Sequence, residues 1–170
     1  MEEIILRNTQ CLDQFSGVSI RRRLKKEIDK MYPNYTQINV EINDNGKIEV
    51  IIYDIVEDKL QKYGFIITDN YPFTAPKIFF QSRPYIEFLK MTNYQLKSSD
   101  IFKKVTGQNC FCCSSINCGD NWSPGITLEK IIAEIQSVKR KKRDIINKLM
   151  ADKIKMRYLI DDIDLDSWLF

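Results

Sequence analysis

Apolar residues near the start of the chain recur at the spacing of an amphipathic helix. The stripe consists of Ile20, Leu24, Ile28 and Met31. These intervals of four, four and three residues predict a helix over residues 18–32 with one buried face. Basic side chains fill much of the opposite face. We expect Ser16 or Ser19 to cap this helix and Pro33 to end it.

The next segment alternates apolar and polar side chains with a period of two, which is typical of strands that are buried on one face. The even-numbered positions of 36–42 and 48–52 are apolar or β-branched, and Asn45-Gly46 lies between them as a type I′ turn signal. Two more strands fit residues 62–69 and 76–81. The pattern therefore predicts a four-stranded antiparallel meander after the first helix.

The C-terminal half carries one long helical pattern. Apolar residues recur at helical spacing after Thr127 and continue to Leu149 through a basic run at residues 139–143. We expect Thr127 to cap this helix and the helix to reach about Lys155. Residues 87–108 show little periodicity, so no element is predicted there.

Together these elements predict an α+β fold with an N-terminal helix, a four-stranded antiparallel meander, a loop and a long C-terminal helix. The chain of 170 residues and 20.1 kDa is large enough for one such domain, and it contains no internal repeat or Pro/Gly/Ser-rich linker. We expect an N-terminal extension at residues 1–15, the domain at 16–138, and a basic helical extension with an acidic tail at 139–170.

Composition limits the chemistry that the chain can perform. The sequence contains no histidine, which excludes Ser-His-Asp triads, Cys-His dyads and histidine-ligated metals. The 26 basic and 23 acidic residues give a net charge of +3, so a nucleic-acid partner is not expected. No apolar run reaches the roughly 18 residues of a membrane span, and acidic residues occupy the N-terminus where a signal peptide carries basic ones. We therefore expect no membrane association and a cytoplasmic or nuclear location.

Four of the five cysteines lie within nine residues, at Cys110, Cys112, Cys113 and Cys118. They are too close together to tie distant segments as a disulfide framework. One interpretation is a nucleophilic thiol, because a thiolate is a strong nucleophile. Another is a zinc site with these four cysteines as ligands. Thiols that serve neither purpose are expected to be small buried hydrophobic side chains.

Two motifs flank the cysteines. Residues 71–76 read Tyr-Pro-Phe-Thr-Ala-Pro, and residues 121–124 read Asn-Trp-Ser-Pro. With the basic helix and the strand meander, this order of parts over residues 16–138 resembles the ubiquitin-conjugating enzymes. The resemblance implies a UBC-like fold and an acyltransferase. One cysteine would accept ubiquitin or a ubiquitin-like protein from an activating enzyme as a thioester and, with a ligase, pass it to a lysine of a protein substrate. No cofactor is implied.

The resemblance also implies candidate site residues. In the family the reactive cysteine follows an apolar residue and precedes a segment that packs inward. Cys112 fits this best, with Phe111, Cys113 and Ile116 as packing positions. Counting back from the tryptophan of the Trp-Ser-Pro motif favours Cys113 instead, and Cys110 followed by Phe111 offers a third register. The partner-binding candidates by position are Arg21, Phe73, Trp122 and Pro124.

The chain departs from the family in one functional element. Residues 81–88 occupy the place of its His-Pro-Asn element and contain neither histidine nor asparagine. The asparagine is thought to support the oxyanion or the adjacent loop, so another amide would have to replace it. The candidates are Asn93, Asn109, Asn117 and Asn121. One alternative is therefore an inactive UBC-like variant that acts as a scaffold for ubiquitin or a ligase. The zinc site is the second alternative.

Overall fold

The computed structural model describes Leu12, residues 17–90 and residues 100–158. Its elements in chain order are α1 (Val18–Met31), β1 (Gln37–Ile42), β2 (Ile48–Val56), β3 (Lys59–Ile66), β4 (Lys77–Phe80), β5 (Arg83–Pro84), α2 (Tyr85–Leu89), α3 (Asp100–Thr106) and α4 (Leu128–Tyr158). The predicted α+β class is confirmed. The predicted Ser16 cap, Asn93 and the acidic tail lie outside the described residues.

The first helix follows its predicted pattern closely. The apolar stripe of Ile20, Leu24, Ile28 and Met31 is buried in the core. The helix begins after Gly17, and Ser19 lies inside it, so the predicted Ser19 cap is wrong. The helix ends at Met31, where Tyr32–Asn34 forms a single 3₁₀ turn that contains Pro33.

The strands of the described ranges form one antiparallel sheet in the order β1-β2-β3-β4-β5. The prediction of four strands is therefore wrong by one, because the two-residue strand Arg83–Pro84 pairs with the end of β4. Such a strand is too short to show alternation in the sequence. The third strand begins three residues earlier than predicted, at Lys59, and the fourth spans Lys77–Phe80.

The predicted hairpin of β1 and β2 is confirmed, but its turn is of another class. The Gly46 N–H donates to the Asn43 carbonyl at 2.8 Å, and the Asn43 N–H donates to the Lys47 carbonyl at 2.9 Å. Only Gly46 has a positive φ in this turn, at +70°, whereas a type I′ turn needs two such residues. The loop is thus a three-residue turn closed by a glycine.

Two short helices lie in or beside the segment for which no element is predicted. Helix α2 buries Tyr85 and Leu89, and α3 buries Phe102. With five and seven residues, they span too few turns to display a helical period in the sequence.

The long C-terminal helix is confirmed. The Thr127 hydroxyl accepts the Lys130 N–H at 3.3 Å, as expected of a cap. The helix continues without a break past residue 138, and Ile145 and Ala151 beyond that point are buried. In the described part of the chain, no helix combines the length and apolar composition of a membrane span.

Candidate functional site

The cysteine loop, residues 110–118, lies between α3 and α4. Cys110, Cys112 and Cys118 are half-buried and Cys113 is exposed. The expectation that most of these thiols are buried hydrophobic side chains is therefore wrong, as is the inward packing expected of Cys113. The residue of this loop that packs into the core is Phe111, whose side chain is 2% exposed. Its ring meets the Phe102 ring edge-on, with the two ring centres 5.1 Å apart.

The structure brings three of the four clustered cysteines together. The sulfurs of Cys110, Cys112 and Cys113 all lie within 4.8 Å of one another, and Cys118 is outside this group. The Cys112 thiol donates to the Cys110 sulfur at 3.3 Å, and the Cys113 backbone N–H reaches the same sulfur at 3.4 Å. Three thiols thus share one small, accessible surface.

These contacts separate the acidities of two of the thiols. Hydrogen bonds from the Cys113 side chain and backbone, followed by those from Cys112, lower the pKa of the Cys110 thiol below its usual range. Side-chain hydrogen bonds with Cys110 and then Cys112 raise the pKa of the Cys113 thiol to about 12. Of these two thiols, Cys110 is therefore the one that ionises more readily.

A carboxylate on α4 holds the second half of the loop. Glu134 accepts hydrogen bonds from the Ser115 hydroxyl at 2.6 Å and from the Ile116 N–H at 2.7 Å. The Tyr85 hydroxyl of α2 donates to it at 2.8 Å. Burial, and then the charge of Glu134, raise the pKa of Tyr85 well above its usual range. Sequence reasoning missed Glu134, although an acidic residue beside an apolar helical stripe is a signal that could have found it.

The Asn-Trp-Ser-Pro motif holds the loop from the other side. The Asn121 amide donates to the carbonyls of Cys113 and Ser115 at 2.9 and 3.0 Å. The Trp122 ring nitrogen donates to the Pro72 carbonyl at 2.9 Å. Of the candidate amides, Asn121 therefore supports the cysteine loop, and the tryptophan joins that loop region to the turn at residues 71–76.

A buried carboxylate on α1 completes this framework. Glu27, 5% exposed, accepts hydrogen bonds from the Tyr71 hydroxyl at 2.9 Å and from the Leu128 N–H at 2.9 Å. Arg23 pairs with the same carboxylate and donates to the Pro124 carbonyl at 3.1 Å. The Glu27 carboxylate thus joins the first helix to the turn at residues 71–76 (the proline turn) and to the start of α4. Sequence analysis did not single out this residue.

The four partner-binding candidates differ in accessibility. Phe73 is 76% exposed, and Pro124 is exposed as well. Trp122 is half-buried, and its ring centre lies 6.4 Å from the ring centre of Tyr71. It therefore packs against the turn at residues 71–76. Arg21 is half-buried on α1. The guanidinium that reaches the Pro124 carbonyl belongs instead to Arg23, two residues further along the helix.

Comparison with known proteins leaves the assignment of function to this geometry. No family model, no curated protein and no solved structure matches the chain.

Proposed function

We propose that the protein is a conjugating enzyme with a UBC-like fold, which carries ubiquitin or a ubiquitin-like protein as a cysteine thioester. The observation that carries this proposal is the cluster of three cysteine thiols on an accessible loop. Glu134 holds this loop on one side and Asn121 holds it on the other. An acyl carrier needs a nucleophile that a large partner can reach and that keeps a fixed position during transfer.

Cys110 is the best nucleophile in this arrangement, although the sequence alone favours Cys112. Its successor Phe111 is buried, which suits the family pattern of a reactive cysteine followed by an inward-packing residue. The residue after Cys112 is the exposed Cys113, which does not suit it. The Cys113 N–H also points to the Cys110 sulfur and stabilises a negative charge there. Cys112 and Cys113 are the alternates.

The proposed reaction consists of two acyl transfers. The Cys110 thiolate attacks the carbonyl of the modifier's C-terminal thioester on the activating enzyme, and the activating enzyme's thiolate leaves. A lysine amine of the substrate then attacks the new thioester and an isopeptide bond forms. The Cys110 thiolate leaves, and the amine proton passes to solvent water. In this scheme Asn121 supports the loop, one of the two roles of the family's missing asparagine.

The proposal is tested by a charging reaction, in which the activating enzyme transfers the modifier to a cysteine of this protein as a thioester. The reduced protein is incubated with activating enzyme, ubiquitin and ATP and analysed on a non-reducing gel. We expect a band that reductant removes. Cys110→Ser should convert it into a reductant-resistant oxyester or abolish it, and Cys118→Ser should leave it intact. The proposal is wrong if Cys110, Cys112 and Cys113 can each be replaced by serine without effect on the band.

A scaffold without catalysis is the second candidate, and the exposure of Phe73 favours it. This ring lies on the surface next to the Trp122–Pro72 hydrogen bond, where a partner could bind without using any thiol. Titration of the protein with ubiquitin in the absence of activating enzyme separates the two functions. A scaffold binds ubiquitin but never charges, and Phe73→Ala weakens that binding.

A further inference from the structure

The grouping of Cys110, Cys112 and Cys113 goes beyond what thioester chemistry requires. One nucleophilic sulfur is sufficient to carry an acyl group. Here the Cys110 and Cys112 sulfurs are 3.3 Å apart, the Cys112 and Cys113 sulfurs are 4.0 Å apart, and all three lie within 4.8 Å of one another. The triad of sulfurs therefore calls for a separate explanation.

We propose that these three sulfurs form a binding site for a thiophilic divalent cation of the zinc class, and that cation binding and thioester formation exclude each other. The second half of this inference rests on the proposed acyl-carrier function, whereas the first half is independent of it.

The distances suit a single ion. Zinc binds thiolate sulfur at about 2.3 Å with tetrahedral geometry, so two of its sulfur ligands stand about 3.8 Å apart. The two measured separations, 3.3 and 4.0 Å, lie on either side of this value. The third pair, Cys110 and Cys113, lies within 4.8 Å, so shifts of up to about 1 Å would bring the three sulfurs around one cation.

The ligand chemistry selects soft cations. The cluster consists of sulfur alone, and among the described residues no carboxylate joins it. The chain has no histidine to add a nitrogen ligand. Three thiolates disfavour magnesium and calcium, which prefer oxygen, and favour zinc and related cations. Because Cys118 lies outside the group, the fourth position of the cation would be taken by water or an external ligand.

The loop holds these ligands before a cation arrives. The Cys113 N–H donates to the Cys110 sulfur, as outer hydrogen bonds commonly do at metal-bound thiolates. The Asn121 amide fixes the Cys113 carbonyl, and the Ser114 hydroxyl donates to the Gln108 side chain at 2.8 Å. Cys113 is exposed, so a cation has a direct path to the site.

Occupation of the site would control the acyl carrier. A sulfur that coordinates a cation shares the electron pair that it needs to attack a carbonyl. Conversely, a thioester on Cys110 removes one of the three ligands. The cation therefore competes with the modifier for the same sulfur, and a protein that holds the cation carries no modifier.

Titration with Cd²⁺ tests the site itself. We expect the reduced full chain to bind one equivalent of Cd²⁺ and to develop thiolate-to-metal charge-transfer absorption. A large excess of Zn²⁺ should remove this absorption by displacing the Cd²⁺. Cys113→Ser should weaken binding by more than the roughly 10- to 100-fold that loss of an outer partner causes. Cys118→Ser is the matched control and should bind as the unsubstituted protein does. No charge-transfer band, or equal losses in the two variants, would overturn the metal site.

Charging of zinc-loaded protein tests the competition. The protein is loaded, desalted and then charged, and the thioester of the activating enzyme is followed on the same gel as a control. We expect charging to be lost and to return after a chelator is added. Full charging of the loaded protein overturns the competition. Cation binding by a protein that never charges, with or without chelator, confirms the metal site and contradicts the proposed enzyme.

Discussion

At the scale of single residues, Glu27 shows how one buried charge organises distant parts of the chain. An ionised carboxylate is costly to bury unless it is paired and hydrogen-bonded. Glu27 has both kinds of partner, because Arg23 pairs with it and the Tyr71 hydroxyl and Leu128 N–H donate to it. These donors lie 44 and 101 residues away along the sequence. The carboxylate therefore fixes the proline turn and the start of α4 against α1.

Replacement of Glu27 by glutamine tests this role. The amide keeps one acceptor oxygen but directs N–H groups at partners that are themselves donors. We expect Glu27→Gln to lower the free energy of unfolding by about 1–3 kcal/mol, measured by chemical denaturation. Asp29→Asn, an exposed position on the same helix, is the control and should change it by less than about 0.5 kcal/mol. Equal stability of the two variants would contradict the role of Glu27.

Neighbouring serines offer a second residue-scale test, in the cysteine loop. Ser115 is buried, donates to Glu134 and accepts the Asn117 N–H at 3.1 Å, whereas Ser114 is exposed. Ser115→Ala should lower the free energy of unfolding by about 1–2 kcal/mol, since it leaves the half-buried Glu134 carboxylate and Asn117 N–H without that hydroxyl. It should also slow charging, because the loop loses one of its fixed points. Ser114→Ala removes an exposed hydroxyl whose hydrogen bond to Gln108 competes with water, so it should lower stability by less than Ser115→Ala does. A Ser115→Ala protein that charges at the unsubstituted rate would show that the Ser115–Glu134 hydrogen bond is not needed to position the loop.

At the scale of elements, the hairpin of β1 and β2 shows what a local pattern can and cannot specify. The alternation of residues 36–42 and 48–52 predicts both strands correctly. The turn differs because the Asn43 side chain accepts the N–H groups of Asn45 and Lys47, at 3.1 and 3.0 Å. An asparagine that bonds to the backbone two residues ahead starts its own turn, and this moves the glycine to the last position of the loop.

A glycine pair tests that turn. Gly46 has φ +70° and Gly119 has no such positive φ, while an added Cβ meets no atom within 4 Å at either site. An added methyl group therefore clashes with no atom at either position, and the two variants differ in the backbone conformation that alanine must adopt. Gly46→Ala should lower the free energy of unfolding by about 1–2 kcal/mol because a left-handed conformation is unfavourable for alanine. Gly119→Ala should be neutral or slightly stabilising. Thermal denaturation measures both, and an identical effect at the two sites would argue against the turn described for Gly46.

Predictability from sequence follows the length of the element. Helices α1 and α4 and the first hairpin each repeat their period several times, and all were predicted. Strand β5 and the helices α2 and α3 complete too few periods to be recognised. In the candidate site, the cysteines and Asn121 were found as chemical groups, but Glu27 and Glu134 were missed. The partners that make these two carboxylates important come together only in the folded chain.

At the scale of the whole molecule, the C-terminal helix raises the question of where the domain ends. The predicted boundary at residue 138 falls inside α4, whose Ile145 is 2% exposed. The ammonium of Lys142 lies 4.3 Å from the centre of the Phe88 ring of α2 and also donates to the Phe88 carbonyl. The helix beyond residue 138 thus contacts the rest of the protein.

Adjacent isoleucines test how much this part of the helix stabilises the protein. Ile145 is buried and Ile146 is 47% exposed. Ile145→Ala should lower the free energy of unfolding by about 2–5 kcal/mol, the effect of a large-to-small change in a core. Ile146→Ala should lower it by no more than about 0.5 kcal/mol. If both variants keep the unsubstituted stability, the helix beyond residue 138 is an extension that the domain does not need.

The tyrosines of the core make the stability of the whole molecule depend on alkaline pH. Burial raises the pKa of Tyr35 from 10.0 to about 12, and burial also raises the pKa of Tyr63, Tyr71 and Tyr85. Each stays neutral in the folded protein at a pH where the unfolded chain already ionises. Their contribution to stability is therefore complete below pH 10 and is lost progressively as the pH rises above 10. Lys142 acts in the opposite direction, because burial lowers its pKa.

The Cys113 thiol, whose pKa is also raised, acts with the four tyrosines, and the Cys110 thiol, whose pKa is lowered, acts with Lys142. The groups with raised pKa are in the majority, so we expect the free energy of unfolding to fall once the pH exceeds about 10. Urea unfolding at a series of pH values measures the slope, and tyrosinate absorbance during unfolding reports when the phenols ionise. Tyr85→Phe removes one ionisable phenol. This variant should be less stable at neutral pH, because it loses the hydrogen bond to Glu134. Its stability should fall less steeply above pH 10, because one fewer phenol ionises on unfolding. A slope that is zero, or that is unchanged by Tyr85→Phe, would mean that Tyr85 ionises in the folded protein as easily as in the unfolded chain.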